Sequence, residues 1–195
     1  MTTRTAFALP FLLGLAATFH ATAAQRNPPP DTVISVVSAD WNEDGAFDRA
    51  ILTEGEQGDA DLYIYLSVPA QGDARRELAL VKPNAAWAGQ MAGTQPSLDV
   101  SARGALLLKS SNLAVGRGRW EQVVTIVYRN RQFIVAGFTR TESDTVAPNA
   151  GRRCDLNFLS GQGTRDGKRV TIGPQTIQLS AWNDEAGMEQ CRLNN

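Results

Sequence analysis

Hydrophobic positions along this chain come in short runs with a period of two, and nearly every run ends at a glycine, a proline or an Asx residue. Residues 32–38 are rich in β-branched side chains (Thr32, Val33, Ile34, Val36, Val37) and predict a strand, with a second over residues 49–53. A turn cluster with Gly55 and Gly58 precedes the strong strand pattern of residues 62–68. A shorter apolar run over 77–82 stops at Pro83-Asn84. Residues 85–97 read as a loop, since Gly89, Gly93 and Pro96 outweigh the helical spacing of Trp87 and Met91. Strands at 98–100 and 105–109 surround the turn Ala102-Arg103-Gly104. Residues 121–128 and 133–140 flank the polar turn 129–132 as a hairpin. Val123, Val124, Ile126 and Val127 occupy both of its faces, which predicts a central pair covered on each side. Further strands follow at 154–159 and 169–172, the second after the turn 165–168, and residues 176–182 make the last.

The sum is about ten short strands and no sustained helical period. The expected class is all-β, an antiparallel sandwich or strongly twisted sheet.

The first 24 residues break this pattern. One early charge, Arg4, precedes an apolar run from Ala6 to Leu15, and the segment ends in Ala21, Ala23 and Ala24. That is the pattern of a cleaved signal peptide. Pro10 interrupts the run, which falls short of the roughly 20 apolar residues a spanning helix needs, so the mature chain is not expected to be membrane-embedded. Residues 25–31 hold Pro28, Pro29 and Pro30 and read as an extended lead-in. The remainder, 32–195, is of one-domain size, and the expected location is the periplasm or the exterior.

Composition then narrows the chemistry. The chain has 19 basic and 20 acidic residues; without Arg4 the mature balance is close to neutral, which gives no field for nucleic acid or anionic lipid. The one histidine, His20, lies in the segment expected to be removed. Without it there is no Ser-His-Asp or Cys-His mechanism and no imidazole zinc site, so an enzyme is not expected. Cys154 and Cys191 are an even pair in an exported chain and predict a disulfide.

One stretch is spaced as a cation requires. In Asp40-Trp41-Asn42-Glu43-Asp44-Gly45-Ala46-Phe47-Asp48, side-chain oxygens fall at relative positions 1, 3, 5 and 9 (Asp40, Asn42, Asp44, Asp48). Gly45 turns the backbone at position 6, and the Ala46 carbonyl at position 7 is placed to point inward. Three carboxylates around one volume repel, by about 4 kcal/mol for a pair about 4 Å apart at a dielectric near 20. A divalent ion reverses that sign, and the donor set suits Ca2+ better than magnesium. An EF-hand is excluded, because Ile51 stands where its bidentate glutamate belongs and strand patterns flank the loop.

The residues Asp40, Asn42, Asp44, Gly45 and Asp48, followed by Ala50-Ile51-Leu52, resemble the calcium loop of FG-GAP and VCBS repeats, units of β-propellers. The resemblance covers about residues 33–66 and implies calcium binding by Asp40, Asn42, Asp44 and Asp48. Only one copy of the motif is present, so what is expected is a single blade-like unit within residues 32–68 rather than a closed propeller.

Weaker patterns remain. Arg117-Gly118-Arg119-Trp120, with Arg129 and Arg131, offers cations beside an aromatic ring, but solvated turn arginines are the plainer reading. Trp41, Trp87, Trp120 and Trp182 are expected in the core, with a sugar platform as the alternative. Asp155-Leu156-Asn157-Phe158-Leu159-Ser160-Gly161 sets two polar side chains on one strand face, and it resembles a D-x-N-x-L-[ST]-G stretch of small bacterial exported proteins of uncharacterised family. Nothing places any two of Glu121, Glu142, Asp144 and Asp155 at the separation of a catalytic carboxylate pair. The functional expectation is an exported calcium-binding β domain with a noncatalytic interaction role toward a protein or envelope polysaccharide; the alternative is a glycan-binding module or a glycan-acting enzyme using surface tryptophans and carboxylates.

Overall fold

The computed structural model describes residues 28, 30–68 and 75–193; the segment read as a signal peptide and most of the proline-rich lead-in lie outside them. Two antiparallel sheets pack face to face. The first orders β1 (Val33–Ala39), β2 (Asp48–Glu54), β3 (Asp59–Val68) and β4 (Arg75–Trp87) as a simple meander. The second contains β5 (Ser97–Val100), β6 (Leu106–Asn112), β7 (Gly118–Arg129), β8 (Gln132–Asp144), β9 (Arg152–Asn157), β10 (Gln162–Arg165) and β11 (Lys168–Thr171), again side by side in chain order. A two-residue β12 (Ile177–Gln178) pairs with β8 at Ile134 and Val135. Neither sheet closes on itself, and the chain is an all-β sandwich as expected.

Alternation builds the core. Leu52, Leu62 and Ile64 from the first sheet meet Leu106, Leu108, Val124, Ile126, Phe138 and Leu156 from the second, all essentially buried. Each such side chain contributes roughly 1.5–3 kcal/mol of burial. Trp41 and Trp182 join this interior, Trp41 edge-on to Phe133 with ring centroids 6.3 Å apart. The sheets also meet along β1 and β5, where Leu98 N donates to Ser35 Oγ at 3.0 Å. Both tight hairpins turn on two residues with positive φ, as a two-residue turn matched to strand twist requires: Asn130 and Arg131 (50° and 62°) and Asp166 and Gly167 (48° and 75°).

Four details differ from the sequence reading. The central hairpin is covered unevenly: Val124 and Ile126 reach the core, whereas on the other face Ile134 is buried but Val123 and Val127 are only half-buried. Strand β4 does not stop at Pro83-Asn84. The ladder skips from Ala60↔Ala86 to Leu62↔Lys82, and this bulge absorbs the proline while Asp61 Oδ1 accepts Asn84 N at 2.9 Å. Residues 179–181 form a 3-10 turn instead of continuing a strand. Leu179 and Trp182, three apart, are both buried, a spacing that a 3-10 turn aligns and a strand would split.

The fourth difference is a helix, α1 (Asp184–Cys191). Its N-cap is Asn183, which accepts Ala186 N at 2.8 Å, and Asp184 and Glu185 stand in its first turn. Gly187 lies against Trp182 and Phe138, where a Cβ would come within 2.8 Å of the indole. The helix ends at the disulfide Cys154–Cys191, with Cα atoms 5.7 Å apart. Arg165 and Arg152 donate to the carbonyls of Gln190 and Arg192 at its C-terminus.

Candidate functional site

The 40–48 loop connects β1 to β2 and is fixed by its own aspartates. Asp40 accepts Asp44 N at 3.1 Å and Gly45 N at 2.9 Å, so both of its oxygens are engaged by loop amides. Asn42 Oδ1 accepts Asp44 N at 3.2 Å, and Asn42 Nδ2 donates to Asp44 Oδ2 at 2.8 Å. Gly45, at φ 86°, carries the turn anticipated for it. Asp48 is the surprise: it is fully buried. Its Oδ2 accepts Trp41 N at 2.8 Å and Asn42 N at 3.4 Å, and its Oδ1 accepts Ser67 N at 2.8 Å.

Ser67, near the end of β3, is the residue that sequence reasoning missed. Its hydroxyl oxygen lies 3.1 and 3.0 Å from the two Asp44 oxygens, 3.1 Å from Asp48 Oδ1 and 3.4 Å from the Ala46 carbonyl. One hydroxyl has one proton to donate, so four acceptors share it. The signal was weak: a lone serine in an apolar strand, brought to the loop by the β2–β3 register that sets Arg49 opposite Tyr65.

Thus Asp44, Ala46, Asp48 and Ser67 converge, while Asp40 and Asn42 are turned to loop groups. Among the described residues no group of three or more histidine, cysteine, aspartate or glutamate side chains is placed to hold a metal ion. The oxygens that converge are instead two carboxylates, a hydroxyl and a carbonyl. The four acceptor oxygens among them each lie within 3.4 Å of the Ser67 hydroxyl oxygen. Hydrogen bonds from Ala46 N, then Asn42 Nδ2 and Ser67, hold the Asp44 carboxyl below its ordinary value.

The weaker patterns resolve differently. Arg117 precedes β7 and Arg119 is its second residue, while Arg129 ends it and Arg131 follows in the turn, so the two pairs lie at opposite ends of the strand. Arg117 pairs with Asp144 at 2.7 Å, and this hydrogen bond leads in holding the Asp144 carboxyl at about 2. The tryptophans split: Trp41 and Trp182 are core, while Trp87 and Trp120 are half-buried with centroids 5.6 Å apart. Arg140, itself buried, lies 4.4 Å over the Trp120 ring and donates to Gln122 Oε1 at 2.7 Å and Glu142 Oε1 at 2.8 Å. Gln122 in turn donates to Asp184. This network fastens α1 to the second sheet, and its partnered polar groups make it a brace.

The Asp155–Ser160 stretch lines a shallow trough of about 530 Å³ across β9, β10 and β11, with Gln162, Thr164 and Arg169. Asp155 Oδ1 accepts Thr139 Oγ1 at 3.1 Å, Asn157 Oδ1 accepts Ser160 N at 2.9 Å, and Gln162 Oε1 accepts Thr171 Oγ1 at 3.2 Å. No helix among the described residues is long and apolar enough to cross a membrane. No family model matches the chain, and searches of curated proteins and of solved structures likewise give no significant match.

Proposed function

We propose that this protein is an exported β domain that binds calcium in the 40–48 loop and serves a noncatalytic interaction role, the ion being structural. One observation carries the reading: the Ser67 hydroxyl faces Asp44 Oδ1 and Oδ2, Asp48 Oδ1 and the Ala46 carbonyl, all within 3.4 Å. The hydroxyl has one proton for these four acceptors, so its other contacts are between lone pairs, and a cation removes that repulsion. Asp44, Ala46, Asp48 and Ser67 would hold it, with Asp40 and Asn42 shaping the loop. When bound, calcium supplies positive charge and a rigid join between β1, β2 and β3. The disulfide suits an oxidising compartment, in keeping with export.

The test is thermal unfolding in chelator and in millimolar calcium, the range of extracellular modules. The wild type should melt higher in calcium, and Asp44→Ala should lose that rise. A wild-type melting temperature indifferent to calcium would sink the reading.

A further inference from the structure

A cleft lies between the edge of the first sheet and the tip of the β7–β8 hairpin. Strand β4 is that edge, and its register passes from Ile64↔Leu80 to Tyr65↔Leu78, which leaves Ala79 without a partner. Such a bulge bends an edge strand and interrupts its pairing. On the other side Tyr128 and Phe133 pair across the hairpin, with ring centroids 4.8 Å apart. The space between has a volume of about 160 Å³ and is lined by Leu66, Ala79, Leu80, Tyr128 and Phe133, together with the exposed Arg131 of the hairpin turn.

Leu66, Leu80 and Tyr128 pack against the core yet remain half-buried, so the cleft offers apolar surface that an apolar group would cover favourably. Size then selects the group. A protein cavity of about 150 Å³ takes up one benzene ring, and a cleft of about 160 Å³ suits a single ring rather than a long acyl chain. The walls favour an aromatic one: Phe133 contacts Tyr128 at 4.8 Å and Trp41 at 6.3 Å between centroids, and a further ring would extend this series of tilted and edge-on contacts. Charge selects the rest. Arg131 is the one ionic side chain of the lining, and the other three lining residues are neutral and polar. Among the described residues its guanidinium has no hydrogen bond or ion pair, so no carboxylate of the chain offsets it.

We propose that this cleft binds a small aromatic carboxylate, its ring between Leu66, Leu80, Tyr128 and Phe133 and its carboxylate on Arg131. The guanidinium fork matches a planar carboxylate, and the apolar walls hold the ring that a mineral anion lacks. The inference does not rest on the calcium reading, because no residue of the lining belongs to the 40–48 loop.

The test is an NMR titration of isotope-labelled protein with phenylacetate at neutral pH in chelator, which keeps the 40–48 loop free of calcium. The methyl signals of Leu66, Ala79 and Leu80 and the ring signals of Tyr128 and Phe133 should shift on one saturable curve. Arg131→Asn removes the charge with a residue that tolerates the φ of 62° at this position. It should weaken binding roughly tenfold, as expected for a lost charge-assisted pair. Phenylacetamide, the same ring without the charge, should bind the wild type weaker by a similar factor, a comparison that needs no variant to fold. Leu80→Phe, which fills the cleft, should abolish binding, and Arg103→Asn, on the exposed β5–β6 turn, should leave it unchanged. Thermal melts confirm that each variant is folded. Three results would overturn the proposal: no saturable shift at millimolar phenylacetate, unchanged affinity in Arg131→Asn, or equal binding of phenethylammonium, which would mark an apolar gap without charge selection.

Discussion

The 40–48 loop and the β9–β11 trough are built from overlapping residue types, aspartate, asparagine and serine, yet in the loop they converge on one point and in the trough they spread over a sheet face. Around Ser67 Oγ four acceptor oxygens share one hydroxyl proton. In the trough Asn157 and Gln162 each accept one bond within the chain, and Asp155 and Arg169 are exposed on the same face. Asp40 shows why counting residues misleads: its two oxygens already serve Asp44 N and Gly45 N. The chemistry left to a site is set by the lone pairs and protons that remain after the chain has made its own bonds.

The sharpest way to break this comparison is Asp48→Ala. Asp48, itself fully buried, accepts the backbone amides of Trp41 and Ser67 in buried bonds and that of Asn42 in a part-buried one. Removing it leaves those donors buried without partners, and urea unfolding in chelator should show a loss of about 3–5 kcal/mol. If chelator-treated protein loses less than about 1 kcal/mol, Asp48 is not a structural acceptor and the loop depends on its ion alone.

Removing the disulfide should act almost as strongly, but on the other region. Cys154 precedes Asp155 on β9 and is 37 residues from Cys191. The double change Cys154→Ser, Cys191→Ser should cost about 3–4 kcal/mol by the chain-entropy account. It should leave the calcium-induced rise in melting temperature in place. Loss of that rise would show that the loop and the disulfide-tied end of the second sheet are one cooperative unit.

These two residues also mark what the sequence discloses. The cysteine pair was readable because an expected export signal and an even count suffice to predict the bond. The strands were readable because alternation is a local signal, and so was the spacing of the 40–48 donors. Asp48 was readable as an oxygen donor but not as a buried brace, since its burial and its bond to Ser67 depend on the β2–β3 register across 19 residues. Helix α1 is only eight residues long and carries no broad apolar face; Asn183 followed by Asp184 and Glu185 was its one local mark. Pro83 misled because the bulge that tolerates it is built with Asp61 on the neighbouring strand.

A finer test is Ser67→Ala, which keeps the amide bond to Asp48 and removes only the shared hydroxyl. In chelator the loss should be about 1 kcal/mol, one net hydrogen bond. In calcium the rise in melting temperature should shrink without vanishing, because the two carboxylates and the Ala46 carbonyl remain. Ser67→Ala with an undiminished calcium response would place the hydroxyl outside the ion's reach, and the convergence argument would fail.

The smallest effect is a slope with pH, and its sign separates the loop from the rest of the molecule. Hydrogen bonds from Ala46 N, Asn42 Nδ2 and Ser67 lower the Asp44 carboxyl below its ordinary 3.8. Its contribution to stability is therefore complete above pH 3.8 and is lost as pH falls through the lowered value. Asp184 behaves in the opposite sense: burial raises its carboxyl above 3.8, against the bonds from Gln122 and Trp182. The stability linked to it is present below 3.8 and lost as pH rises through the raised value. Asp44→Asn should flatten the acid limb, and Asp184→Asn the limb above it, each read from melting temperature against pH. If calcium binds as proposed, it competes with protons at Asp44 and not at Asp184, so adding it should move only the acid limb, toward lower pH. If calcium moves neither limb, Asp44 is a turn residue held by amides and the loop's surplus of acceptors is not used by a cation.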